Sequence, residues 1–477
     1  MKNKFNKLTS KEWLPFQKSW FRYESDEQLY RENIRFFAKL EDSDVPMLYY
    51  GNKFDLFTSI CKENGIRAEL IQGYTGNSQF IFMDLRSELE SMSINDYNDK
   101  KSEWFNLLKT QFDGLEYRRF VSVVATNVQH QTKYLPYAWD LAKEIGHIYS
   151  IKDEKIGCQG ISEEISPSSY FKPLGNTFYC LYFRKDELSL NSDLSDDYRF
   201  LKVNNEQIKR GVHDTIPSWF IPKPQPRSKA EILHPAKYPE DVVKFFVQAF
   251  SEKDDNVFDP MSGTGSTQMS ALMLERNGYG TELSDFFASI ANERCKEYIN
   301  PSQLSLFDDG HSNHNKFRIL NKDARKIDKT DFPEINLMVT SPPYWDMLNM
   351  KGAENQAKRI EKGLRTNYSD DTEDIGNIAD YNTFIETLRE IYFNVASLMS
   401  PGSYMTIIVK NIKKKGSNYP FAWDLSNVLQ EKLILLPEVF WCQDDITIAP
   451  YGYGNTWVSN TFHQYCLTFQ VPEDFSK

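Results

Sequence analysis

The chain repeats itself. Pro136-x-Ala138-Trp139-Asp140-Leu141 returns as Pro420-x-Ala422-Trp423-Asp424-Leu425, 284 positions later. Asp96-Tyr97-Asn98 and Asp380-Tyr381-Asn382 keep that offset, as do Asn127 and Asn411, Cys158-Gln159 and Cys442-Gln443, and Asn176-Thr177-Phe178 and Asn460-Thr461-Phe462. Agreement in one ungapped register points to a duplication, so the fold has to place two similar units within 477 residues. The first copy lacks the Pro-Pro dipeptide and the glycine-rich turn of the second, so it is expected to have lost their chemistry or never to have had it.

From residue 230 onward the pattern alternates regularly. Helices are expected over 239–250, 266–276, 286–299, 381–399 and 422–429. Strands are expected over 256–258, 278–283, 317–320, 337–340 and 404–409, with aromatic strands at 439–442 and 465–469. Such alternation builds a mostly parallel sheet with helices on both faces, an α/β fold. The first part offers an apolar run at 80–83, a helix over 96–112, a strand over 120–125, a helix ending at Gly146 and a strand over 176–183. Residues 1–45 read as helical or irregular. The Ser/Asp-rich stretch from 186 to 230 ends in alternating prolines, which cannot be helical, and marks the linker. The expected division is therefore 1–225 and 226–477.

A net charge of −11 argues against a protein that coats nucleic acid non-specifically, though it leaves room for a local basic groove. The six cysteines show neither paired nor histidine-flanked spacing, so no metal site is expected and they read as reduced thiols. The N-terminus lacks an apolar signal core, and no run approaches membrane-spanning length, so a cytoplasmic protein is expected.

Two stretches carry chemistry. In the first, the apolar strand 337–340 runs into Ser341-Pro342-Pro343-Tyr344-Trp345. The prolines stiffen the backbone and remove two N–H donors, leaving carbonyl acceptors beside a flat aromatic face. That combination suits gripping the amino group of a planar heterocycle. In the second, Asp259-Pro260-Met261-Ser262-Gly263-Thr264-Gly265-Ser266-Thr267 lies between a strand and a helix, where a glycine-rich turn can cradle an adenosyl cofactor. No Lys-Ser/Thr follows the glycines, so this is not a triphosphate loop. Asp259 would attract an ammonium, as in the methionine part of S-adenosylmethionine. Glu282, after the next strand, falls where ribose hydroxyls are held, and Asp323, after the third, could accept from an adenine amino group. The bland alternative for each carboxylate is a helix cap or a surface charge.

The segment from about 230 to the C-terminus resembles the amino-methyltransferases of DNA, the N4-cytosine and N6-adenine group. His234-Pro235-Ala236 looks like the family's segment ahead of the cofactor loop. Asp259 to Thr267 looks like that loop, with Met261 in place of the usual Phe, and Ser341 to Tyr344 looks like its catalytic loop. The order of motifs matches the arrangement called gamma. The resemblance implies a Rossmann-like S-adenosylmethionine-dependent methyltransferase sheet, here with an N-terminal degenerate repeat of its C-terminal half. It implies double-stranded DNA as substrate, leaves room for a restriction or defence-system partner protein, and is silent on oligomeric state. The target base would leave the helix and stack on Tyr344, helped by Trp345. Ser341 and the Pro342 carbonyl would accept hydrogen bonds from its amine. Ser at the first position leans towards N4 of cytosine over N6 of adenine.

The family's separate recognition domain has no obvious counterpart after the last strand. Residues 1–225, the insertion 351–375 with Lys351, or the aromatic loop 449–457 with Tyr451 and Tyr453 could replace it. Lys410 and Lys413 are further candidates for DNA contact. The N-terminal copy could help bind DNA or serve structure alone. Rival readings are an RNA or protein-glutamine methyltransferase and a non-enzymatic regulator that binds cofactor or DNA.

Overall fold

The computed structural model describes residues 3–39, 44–130, 133–160, 177–190, 216–222, 239–299, 315–345, 374–414, 417–444, 448, 453, 457 and 459–475. His234, Pro235, Lys351 and Tyr451 lie outside them, as does most of the expected linker.

The strands of the first unit are β1 (Trp20–Arg22), β2 (Met47–Tyr50), β3 (Ala68–Leu70), β4 (Ser78–Asp84), β5 (Leu115–Ala125), the hairpin β6 (Val128–His130) and β7 (Lys133–Leu135), β8 (Ser150–Cys158) and β9 (Thr177–Arg184). Its helices are α1 (Ser10–Gln17), α2 (Asp26–Phe37), α3 (Phe54–Glu63), α4 (Arg86–Leu89), α5 (Ile94–Thr110) and α6 (Tyr137–Gly146). The second unit holds β10 (Trp219–Phe220), α7 (Glu240–Phe250), β11 (Asn256–Asp259), α8 (Ser266–Met273), β12 (Asn277–Glu282), α9 (Asp285–Ile299), β13 (Phe317–Asn321) and β14 (Ile335–Thr340). It continues with α10 (Tyr381–Ala396), β15 (Met399–Val409), the hairpin β16 (Ile412–Lys414) and β17 (Ser417–Tyr419), α11 (Phe421–Leu429), β18 (Ile434–Leu435), β19 (Val439–Cys442) and β20 (His463–Gln470).

The two main sheets share one strand order. The first runs β1-β8-β9-β5-β4-β2-β3 and the second β10-β19-β20-β15-β14-β11-β12-β13, so the second adds β13 at its edge, while β18 pairs off this path with β20. In each, one strand is antiparallel to its neighbours, β9 in the first and β20 in the second. The repeated residues make the same bonds in both units. Tyr97 donates to Asp140 and Tyr381 to Asp424, each at 2.8 Å, tying α5 to α6 and α10 to α11. The side-chain oxygens of Asn127 and Asn411 accept from the N–H of Ala138 and Ala422, each at 2.9 Å, at the helix starts. The last sequence match slips, however. Tyr179 faces Ala125 and Tyr465 faces Val409, so Thr177 occupies the register of His463 rather than that of Thr461.

The units face each other about a pseudo-twofold axis. Asn127 donates to Glu438 at 3.0 Å and Asn411 to Glu154 at 2.8 Å. The indole of Trp20 donates to the Gln443 carbonyl and that of Trp219 to the Gln159 carbonyl. On the axis, Cys158 and Cys442 bring their sulfurs to 4.0 Å. One continuous apolar core runs through both units, and a second, built on α1, α2 and α3, receives Trp457 from the second unit.

Two expectations need correction, and one strand went unread. Trp219 and Phe220 pair with β19, so the second sheet reaches back past the expected boundary at 225. The helix expected over 381–399 ends at Ala396, and Met399 opens β15. β8 went unread because its sequence, SIKDEKIGC, carries a run of charges that looks solvated. Asp153, Glu154 and Lys155 are buried instead, Asp153 and Glu154 bonding to the second unit. No described helix is long and apolar enough to cross a membrane.

Candidate active site

The cofactor loop leaves β11 and enters α8 through two left-handed glycines, Gly263 at φ 53° and Gly265 at φ 81°. Together they leave bare backbone in front of the N-terminus of α8, a cradle that suits an adenosyl cofactor. A side chain at Gly265 would meet Ala291 of α9 at 3.0 Å. Gly280 on β12 is more confined still. A Cβ there would stand 2.2 Å from the Ser262 hydroxyl and 2.6 Å from the Asp259 carbonyl.

Asp259 is fully buried. One carboxylate oxygen accepts from the Met261 N–H at 2.9 Å and the Thr340 hydroxyl at 2.6 Å, and the other from the Thr267 hydroxyl at 2.8 Å. Asp259, expected to attract an ammonium, has both carboxylate oxygens engaged by donors within the protein in this structure. It clamps the cofactor loop, the first turn of α8 and the last residue of β14 together. Thr340 immediately precedes Ser341, so the same carboxylate joins the cofactor loop to the Pro-Pro loop.

Glu282 ends β12 beside the cradle, accepting from the N–H groups of Gly263 at 2.8 Å and Ser284 at 2.9 Å. Burial pushes its carboxyl up to about 7, helped by the negative charges of Asp259 and Asp374, although the two N–H bonds oppose the shift. Asp323 differs from expectation. It caps a short 3-10 turn; burial raises its pKa, but the Arg325 guanidinium at 2.7 Å, the Arg325 N–H and the Lys326 charge together outweigh it and keep the pKa below the usual value. The capping role describes it in this structure.

In the Pro-Pro loop, Pro342 is buried and Ser341, Pro343 and Tyr344 are half-buried. The Tyr344 hydroxyl donates to Gln464 at 3.1 Å, and the Lys410 ammonium lies 4.9 Å from its ring centroid. Burial raises the Tyr344 phenol and lowers the Lys410 ammonium. Gly376 backs the loop, since a Cβ there would sit 3.2 Å from Pro343. Trp345 is only 4% exposed, donates to the Ile378 carbonyl and packs between Tyr381 and Tyr419, so it buttresses the loop and offers no stacking face.

Two expected DNA contacts are also corrected. Lys413 pairs with buried Asp153 and bonds Ser459 at 3.0 Å, which makes it an inter-unit strut. Tyr453 bonds the Leu8 carbonyl at 2.9 Å and packs edge-on to Trp13 in the first unit. Sequence reading missed Thr340, Asp374, Gln464 and Gly280. Of these, only Thr340 had a signal, its position next to Ser341.

Part of the chain matches the family model described as DNA methylase, over residues 75–293. Curated relatives include the orphan methyltransferase M.BamHII of Bacillus amyloliquefaciens, 39% identical over 84 residues, which is 17% of this chain and 32% of that protein. The Type II beta methyltransferase M.BslI of Bacillus sp. (strain NEB-606) is 32% identical over 131 residues, 26% of this chain and 13% of its own. Over these stretches the chain is similar to DNA methyltransferases. It spans at most about a third of the length of these relatives. Among solved structures, TrmN from Thermus thermophilus aligns over 93% of this chain and 78% of its own at 10% identity, with a TM-score of 0.31.

The family match runs from β4 of the first sheet into α9 of the second, so it includes much of the N-terminal unit. There the registers of β4 and β14 put Asp84 at the position of Ser341 and Tyr49 at that of Asp259. The place is filled. Arg86 donates to Asp84 at 2.9 Å and to Asp26 at 2.5 Å and lies 4.6 Å over the Phe178 ring, while Tyr30 donates to Asp84 at 2.7 Å. A planar guanidinium of the chain itself thus sits where a second Pro-Pro loop would be.

Proposed function

We propose that the chain methylates the exocyclic amino group of a base in double-stranded DNA, N4 of cytosine in preference to N6 of adenine. S-adenosylmethionine, bound before the N-terminus of α8, supplies the electrophilic methyl. Gly263 and Gly265 let it approach the backbone, and Glu282 accepts from its ribose hydroxyls. Ser341 and the Pro342 carbonyl accept from the target amine and aim its lone pair, so that positioning supplies much of the acceleration. Tyr344 stacks on the extruded base; with Lys410 against its ring, the base takes the opposite face. The amine proton is lost to solvent after transfer, and no covalent intermediate with the protein is required.

The observation that carries this reading is the Asp259 bridge from the cofactor loop to Thr340, which sets donor and acceptor sites in one rigid frame. In this reading the N-terminal unit is a duplicated, degenerate copy that supports the catalytic one. The test is to treat unmodified duplex DNA with the chain and labelled cofactor and then digest it to nucleosides. Label in N4-methylcytosine supports the reading, and label in N6-methyladenine reassigns the base. Label entering only RNA or protein rejects DNA as the substrate.

A further inference from the structure

The underside of the first sheet holds a cavity of about 510 Å³ lined by Lys4, Lys39, Arg118, Arg119 and Arg184 over three phenylalanine rings. Four separate chain segments bring these cations together: the N-terminal segment, the residues after α2, the start of β5 and the end of β9. Among the described residues that line the cavity, none is a carboxylate. Two stand beside it as supports, Glu116 holding Arg119 at 2.7 Å and Asp186 holding Arg184 at 2.8 Å. Arg119 is buried, and Arg118 adopts the left-handed backbone at φ 65°, a conformation unfavourable for an arginine. In a chain of net charge −11, five convergent cations make a local basin of positive potential.

We propose that this cavity is an anion site that grips a backbone phosphate of the DNA substrate away from the methylated base. The inference rests on the DNA reading above and gives the N-terminal unit a part in binding. Guanidinium and ammonium donors suit phosphate oxygens, and the apolar floor lowers the local dielectric and strengthens the attraction.

The test compares the intact chain with a Lys39→Gln/Arg118→Gln double variant. Affinity for a random-sequence duplex is measured across a salt series, with cofactor affinity and thermal midpoint as controls. Loss of that one phosphate contact should lower the magnitude of the slope of log K against log salt by about 0.9 in the double variant. Cofactor affinity and midpoint should stay unchanged. A variant that keeps both slope and affinity overturns the site. Loss of inorganic tripolyphosphate binding with DNA binding intact would overturn DNA as the occupant in favour of a free phosphorylated ligand. A wild-type chain that binds no DNA at any salt would reject the methyltransferase reading itself.

Discussion

At the scale of single residues, spacing disclosed the kinds of group but not their partners. Asp259, Glu282 and Ser341 stood out in sequence because they lie at strand ends, Asp259 leading into a glycine-rich turn. That Asp259 points inward did not, because its partner Thr340 is 81 residues away. Thr340→Val removes one charge-assisted bond and should cost about 1.5–3 kcal/mol of stability, read by denaturant unfolding. It should also lower kcat while leaving cofactor affinity unchanged, since it loosens the Pro-Pro loop and not the cradle. Glu282 supplies a pH prediction. Its folded carboxyl keeps a proton up to about 7, against 4.5 for the unconstrained group. The folded state therefore holds more protons between those values, and this group's contribution to stability falls as pH rises through that window. Cofactor affinity should change the other way, rising through about pH 7 as the carboxylate becomes available to the ribose. Calorimetry from pH 6 to 8, inside the usual buffer range, should show that rise in the wild type and a flat profile in Glu282→Gln.

At the scale of elements, the alternation after residue 230 was readable because buried parallel strands are apolar and their helices amphipathic. β1 and β10 were not, being short Trp-Phe strands with no periodicity to detect. β8 was hidden by charges that fold inward onto the partner unit, where burial is set by distant sequence. The cofactor loop depends on a contact no local pattern shows, that between Gly280 and the Ser262 turn. Gly280→Ala should therefore cost about 1–3 kcal/mol or more through overpacking and abolish cofactor binding. Far-UV circular dichroism and calorimetry on the variant check both effects.

For the whole molecule, the repeated residues were visible in sequence, while the shared strand order and the facing contacts they make were not. The repeated Asn, Tyr, Asp and Cys residues recur because each unit needs the same helix ties and offers the same face to the other. The catalytic unit should not stand alone, because cutting it away would strand Asn411, Lys413 and Tyr465, which bond Glu154 and Asp153. A fragment of residues 216–477 is expected to be insoluble or molten by near-UV circular dichroism. The central claim is that one site, in the second unit only, transfers a methyl group to DNA. Single-turnover transfer of labelled methyl from S-adenosylmethionine to duplex DNA, run beside Ser341→Ala, tests it most directly. The account predicts that wild-type chain labels the DNA while Ser341→Ala binds cofactor but transfers nothing. Equal transfer by the variant, or none by the wild type with cofactor bound, would contradict it.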